Sequence, residues 1–283
     1  MTDDHVVTDA DLTDYLARIG HRGPTDPTGE VLADLVAAHN RSIPFENLDP
    51  VFGVPVFDLG AEALVDKLVR RRRGGYCYEL NGLLGYVLER LGYGVDRFAG
   101  RVVWMSEPGS PLPARTHQVL GVTIPGAEGR WLVDVGFGGQ TLTSPIGLTV
   151  GVERATRHEP YRLIEGTEGL VLQALVRETW QALYEFTTVP QPRVDLEVGS
   201  WYVSTHPASH FVTGLTAALV TDDARWNLRG RHLAVHRAGA TERIRLDTAE
   251  EVVEALRNTF GLDLADVATP DVLVARVGQL LDA

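Results

Sequence analysis

Cysteine is almost absent from this chain of 283 residues, which carries Cys77 and no other. A single thiol excludes an intramolecular disulfide framework, and a reducing compartment is its natural home. With no CxxC pair and no HExxH sequence, no metal site is expected. No apolar run reaches the roughly 18 residues that a bilayer requires. The start, Met1-Thr2-Asp3-Asp4-His5, has neither the basic nor the apolar region of a secretory signal, so a cytoplasmic location is expected. Positive charge is also in deficit. Lys and Arg number 26 against 38 Asp and Glu, a formal net charge of −12. Nucleic acid and anionic membrane are poor partners for such a chain, because both need a cationic surface. No repeat or low-complexity segment is visible.

What is present is an ordinary globular composition, 44% hydrophobic and 23% charged, long enough for one large domain or two to three lobes. The first third has helical periodicity. Asp11 heads a run through Leu12, Tyr15, Leu16 and Ile19 that Gly20 ends. Residues 30–41, 61–72 and 79–91 form three more runs, the last of them strongly apolar. The middle third is β-rich in short runs at 95–104, 118–124, 131–135, 161–164, 170–176 and 182–188. With no helices between them, these predict an antiparallel barrel or strongly curved sheet. In the last third, 201–204, 232–236 and 244–246 read as strands, and 248–260 as a helix capped by Thr248. Pro190-Gln191-Pro192 is the candidate connection between lobes.

The lone cysteine sits in Arg73-Gly74-Gly75-Tyr76-Cys77-Tyr78-Glu79-Leu80-Asn81. A helix start favours the thiolate, the nucleophilic form. The glycines allow a tight turn and close approach of a substrate, and the Cys77 N–H is a candidate oxyanion donor. Downstream, His117 opens the apolar run Val119-Leu120-Gly121-Val122, and Asp134 interrupts Trp131-Leu132-Val133-Asp134-Val135. A carboxylate in a buried strand needs a partner, and a histidine on the neighbouring strand would serve. Cysteine, histidine and aspartate in that order suit acyl transfer. Each also has a bland reading: a small buried hydrophobe, a satisfied core histidine, a turn aspartate. Gly136-Phe137-Gly138-Gly139 lacks the strand–turn–helix context of a nucleotide cradle. His206 and His210 are four apart, but Pro207 separates them and no glutamate follows His206. Trp201, Tyr202 and Phe211 read as core. Residues 70–72 read as a solvated helix end and Arg73 as structural.

Taken together, the segment 73–79, Arg115-Thr116-His117 and Val133-Asp134-Val135-Gly136-Phe137-Gly138-Gly139 closely resemble the arylamine N-acetyltransferases. So do Ile43-Pro44-Phe45-Glu46-Asn47-Leu48 and Ser204-Thr205-His206-Pro207. The resemblance runs from about residue 15 to about residue 264 and is strongest to actinobacterial, mycobacterial-type members. Leu80 stands where many relatives carry histidine. The resemblance implies an α+β, three-lobe fold with a papain-like cysteine-protease core: a helical lobe (1–93), a β-barrel lobe (94–199) and an α/β lid (200–283). It implies a triad of Cys77, His117 and Asp134 and a ping-pong cycle with acetyl-coenzyme A as co-substrate. Acceptors would be arylamines, arylhydrazines or hydrazides, as in xenobiotic metabolism. Phe45, Val102, Phe137 and Phe211 would line the substrate cleft, and Thr116, Phe211 and His236 would lie near coenzyme A. Arg73 and Glu79 would form a buried ion pair, and a homodimer is allowed for. Amide synthases that close macrolactam antibiotics are the alternative on the same fold. Cysteine peptidases and transglutaminases share only the papain-like logic.

Overall fold

The computed structural model describes residues 6–107, 109–237 and 239–282. Its first helix, α1 (Asp9–Arg18), is capped by Thr8 through a reciprocal box with Asp11, so Asp11 lies inside the first turn rather than at its head. Gly20, at φ +68°, ends the turn that follows. Next come α2 (Gly29–Ser42), capped by Thr28, the short strand β1 (Phe45–Glu46), and α3 (Leu48–Val51). The expected helix over 61–72 is α4 (Ala61–Val65) running into a π-helical turn, Asp66–Arg70. Lys67, Leu68 and Val69 in that turn are all buried, an inward lysine that periodicity did not show. The helix α5 (Cys77–Arg90) starts two residues before the expected 79, which makes Cys77 its first residue. Every residue from Cys77 to Leu88 is buried, because α5 is packed on all sides.

The middle of the chain supplies a seven-stranded antiparallel sheet. Its strands are β2 (Gly94–Val102), β3 (Arg115–Thr123), β4 (Trp131–Val133), β5 (Ile146–Gly147), β6 (Tyr161–Glu165), β7 (Leu170–Val176) and β8 (Thr179–Phe186). Their order is β5-β4-β3-β2-β8-β7-β6. The sheet curls around Phe98, Val119, Leu132, Leu172, Tyr184 and Phe186. Beyond β5 the chain bridges back to β6 through Val150 to Leu163 and Arg154 to Tyr161, so the barrel is nearly closed and its edges are covered. Asp134 falls just after β4, not within the strand expected over 131–135.

The last third differs most from expectation. Residues 201–204 belong to helix α6 (Arg193–Thr205), not to a strand. Trp, Tyr and Val favour strands locally, yet Leu196, Ser200, Val203 and Ser204 turn inward at helical spacing. This helix spans positions 199 and 200, so a lobe limit there would cut it. After α7 (His210–Thr213) come β9 (Thr216–Val220), β10 (Arg225–Arg229), β11 (His232–Arg237) and β12 (Ala240–Arg245). They join β1 in a sheet ordered β1-β9-β10-β11-β12. Its Ala217, Leu228 and Leu233 face pack on α8 (Ala249–Asn258), capped by Thr248 as expected, and on α9 (Pro270–Leu281). Among the described residues no helix is long and apolar enough to cross a membrane.

Candidate active site

The cysteine turn is held by two glycines that nothing larger can replace. A Cβ on Gly74 would collide with the Pro44 carbonyl, and one on Gly75 would lie 2.6 Å from Glu79 Oε2. The turn is tied to β1, whose Glu46 N–H donates to the Gly75 carbonyl at 2.9 Å. Cys77 thus stands at the first position of α5, where backbone N–H groups have no intrahelical acceptor and attract negative charge.

The strands β3 and β4 bring the other two residues to it. His117 Nε2 lies 2.8 Å from Asp134 Oδ2, with both side chains buried. That contact leaves Nδ1 as the ring nitrogen available to Cys77. Cys77 Sγ also lies 3.6 Å from the Thr116 carbonyl oxygen. Burial alone would lower the His117 pKa. The Asp134 charge and hydrogen bond, together with Cys77, outweigh it and raise His117 to about 10. Burial would raise Asp134, but His117, Asn81 and the Gly136 N–H hold it below the usual carboxylate range. At neutral pH the pair is therefore imidazolium and carboxylate.

Asn81, one turn after Cys77 on α5, locks this arrangement. Its Nδ2 donates to Asp134 Oδ1 at 2.9 Å and to the Gln118 carbonyl at 2.7 Å, while its Oδ1 accepts the Val135 N–H at 2.9 Å. The Gly136 N–H gives Asp134 Oδ1 a second bond at 2.8 Å. Aromatic rings wall the histidine. Tyr184 lies 4.6 Å from the His117 ring and Phe137 lies 5.2 Å away, edge-on. Val102 pairs with Tyr184 across β2 and β8. A second aromatic group lies over the cysteine turn, with Phe211 5.3 Å from Tyr76 and 5.9 Å from Phe45. Phe45, Val102, Phe137 and Phe211 are each only half-buried, so their apolar surface stays partly open around a buried histidine.

The N-acetyltransferase family pattern matches residues 28–269. Over 272 residues, spanning 96% of this chain and 98% of the relative, the chain is 66% identical to the arylamine N-acetyltransferase of Mycolicibacterium smegmatis. The chain belongs to the arylamine N-acetyltransferase family. A solved arylamine N-acetyltransferase from M. smegmatis superposes with a TM-score of 0.94 at 65% identity, covering 98% of this chain and 100% of that one. The Mycobacterium marinum arylamine N-acetyltransferase solved in complex with CoA gives 0.93 at 62% identity, covering 95% and 99%. The chain is accordingly an acyltransferase with the three-lobe α+β fold of that family.

Within this N-acetyltransferase, one expected contact is absent. Arg73 does not pair with Glu79. It reaches Glu46 Oε1 and Asp49 Oδ1, each at 2.8 Å. Glu79 instead takes Lys67 Nζ at 2.5 Å, and Lys67 also reaches Asp49 Oδ2 at 2.6 Å. The π-helical turn carries Lys67 inward to Glu79, while two carboxylates of the 46–49 segment occupy Arg73. Thr116 is half-buried and offers its carbonyl to the thiol. His236 is not part of the triad's hydrogen-bond set; its Nδ1 meets Thr241 Oγ1 at 2.9 Å. It sits opposite Arg225 on β10, and Arg225 donates to the Thr141 carbonyl at 3.0 Å, in the loop that follows Asp134. His206 stacks on Tyr202, and among the described residues no group of three or more His, Cys, Asp or Glu is placed to hold a metal ion. Sequence reasoning missed Asn81, Tyr184 and Lys67. The spacing of Asn81, four residues beyond Cys77 on one helix face, was the available signal for the first.

Proposed function

We propose that the enzyme moves an acetyl group from acetyl-coenzyme A to an arylamine, arylhydrazine or hydrazide in a ping-pong cycle, through a thioester on Cys77. The observation that carries this reading is the 2.8 Å contact of His117 with Asp134, beside a cysteine that opens a buried helix. Cys77 Sγ attacks the thioester carbonyl, and the oxyanion is received by the Cys77 N–H and its neighbours in the first turn of α5. The carbon–sulfur bond to coenzyme A breaks, and that sulfur leaves as a thiol with the proton from His117. The acceptor amine then attacks acetyl-Cys77, His117 takes its proton, and the amide departs as the Cys77 thiolate is restored beside the imidazolium. An aromatic amine is unprotonated at neutral pH and suits attack in a site walled by Phe45, Val102, Phe137 and Phe211.

Coenzyme A is assigned to Thr116, Phe211 and His236. His236 has its pKa lowered first by burial and then by Arg177, Arg243 and Arg225. Of these, Arg177 and Arg243 are exposed and suited to phosphates, whereas Arg225 is buried against Glu159 Oε1 at 2.7 Å. The decisive experiment mixes the protein with acetyl-coenzyme A alone and locates the added acetyl group by peptide mass spectrometry. Acetyl on Cys77, discharged by an anisidine or hydralazine-type acceptor, is expected. Release of coenzyme A no faster than without protein overturns the reading.

A further inference from the structure

Glu79, fully buried two residues beyond Cys77, makes contacts on both of its carboxylate oxygens. Oε2 accepts the Tyr76 N–H at 3.1 Å and lies over Gly75, leaving no room there for a side chain. Oε1 accepts from Lys67 Nζ at 2.5 Å. Lys67 is itself buried, in the π-helical turn Asp66–Arg70, and no step of the acetyl transfer uses an ammonium at that place.

The charges facing Glu79 come from every element around it. Lys67 approaches from the π-helical turn, Asp49 from α3, Glu46 from β1, and Arg73 from the segment before the glycines, while Tyr76 and Cys77 belong to its own turn. Three carboxylates share two cations. Arg73 is occupied by Glu46 and Asp49, which leaves Lys67 as the cation of Glu79. Burial pushes the Glu79 carboxyl up; Lys67 opposes this, and Asp49 and Glu46 add to it. A buried glutamate in such company keeps its charge only with that cation in contact. A charged acceptor holds an N–H more tightly than a neutral one.

We propose that Lys67 is a positioning residue: by holding Glu79 as a carboxylate over Gly75 and the Tyr76 N–H, it fixes the direction of the Cys77 N–H and the first turn of α5 beneath the thiol. The proposal rests on the assignment of Cys77 as the acetyl carrier. It adds an ion pair at the helix start to the contact of His117 with Asp134, so that the nucleophile is set by two separate buried pairs.

The test compares wild type, Lys67→Met, Glu79→Gln and the double variant. One readout is single-turnover formation of acetyl-enzyme across the pH range. The other is alkylation of Cys77 by iodoacetamide, which needs no acetyl donor. Lys67→Met should acetylate about 10- to 100-fold more slowly, the scale of a small misplacement at a reacting centre. It should also gain a limb in which the rate rises with pH, because Glu79 without its cation ionises only at higher pH. The double variant should lose that limb and recover most of the rate, since the glutamine carbonyl can accept the Tyr76 N–H without charge. A Lys67→Met protein that is less stable but keeps the wild-type rate and pH profile overturns the proposal, as does a double variant as slow as Lys67→Met. If Lys67→Met does not fold, the double variant is compared with Glu79→Gln. Nearly equal rates support the proposal, and a large further loss overturns it. If wild type forms no acetyl-enzyme, the assignment of Cys77 fails, and the alkylation profiles still decide the role of Lys67.

Discussion

Gly136 approaches Cys77 so closely that a Cβ on it would lie 2.6 Å from the Cys77 Cα. The loop after Asp134 thus rests directly on the first residue of α5, and the same added carbon would lie 2.8 Å from Asn81 Nδ2. Gly136→Ala should push the helix start away from His117. A loss of about 100-fold in kcat is expected, together with destabilisation of about 1–3 kcal/mol from overpacking. Steady-state kinetics and urea unfolding measure the two, and wild-type turnover would contradict the contact.

The His117–Asp134 pair makes stability depend on pH. His117 is raised to about 10 from an ordinary value of 6.5. Its contribution is therefore complete below about pH 6.5 and fades as pH climbs through about 10. The lowered carboxyl of Asp134 acts oppositely, stabilising above the usual aspartate range and losing that effect as pH falls. Asp134→Asn should cost about 3 kcal/mol at neutral pH, as expected for one partner removed from a buried pair. Urea unfolding at a series of pH values should show this gap closing toward alkaline pH. A gap independent of pH would mean that His117 is not held as an imidazolium.

Asn81→Ala removes the donor to Asp134 Oδ1 and the acceptor of the Val135 N–H in one step. A stability loss of about 1–3 kcal/mol follows from the unpaired buried groups. Acetylation of Cys77 should slow because the carboxylate can now shift, while KM for the amine stays close to wild type. A raised amine KM with unchanged acetylation would place Asn81 in the acceptor cleft instead.

Phe211→Ala strips the ring that lies against Tyr76 and Phe45. For an aromatic acceptor, KM should rise about 10-fold, equivalent to about 1.4 kcal/mol of lost contact. A small non-aromatic hydrazide should change much less. Equal loss for both acceptors would argue against an aryl cleft at this position.

The helix start at Cys77 was legible from local sequence because its signals are local: two glycines followed by an apolar helical run. The contact of His117 with Asp134 was legible because burying a histidine and a carboxylate in neighbouring apolar runs leaves each in need of a partner. Asn81, Gly136 and Tyr184 were not, since their roles arise only where α5, the loop after β4 and β8 meet. The pairing of Arg73 was misjudged for a related reason. Charges within one segment look like partners until a π-helical turn brings Lys67 in from outside it. The lid strands β9 and β10 escaped notice although they form successive hairpins with β11; only β1, the other neighbour of β9, is distant in sequence. Residues 201–204 were read by intrinsic preference, and packing against Tyr76 and Val56 through Ser200 overrode it.

The two-residue strand β1 has a consequence for how the molecule comes into being. Phe45 bridges Gly75 beside the cysteine turn and pairs with Ala218 in the lid sheet. During synthesis, Cys77 leaves the ribosome long before Ala218 does. The nascent helical lobe therefore emerges with one edge of β1 unmet, and the brace behind the nucleophile is completed late. A chain truncated before β9 would carry all three triad residues, yet its glycine turn would lean on a strand with an open flank. The support of the cysteine turn thus belongs to the finished polypeptide rather than to a fragment that holds only Cys77, His117 and Asp134.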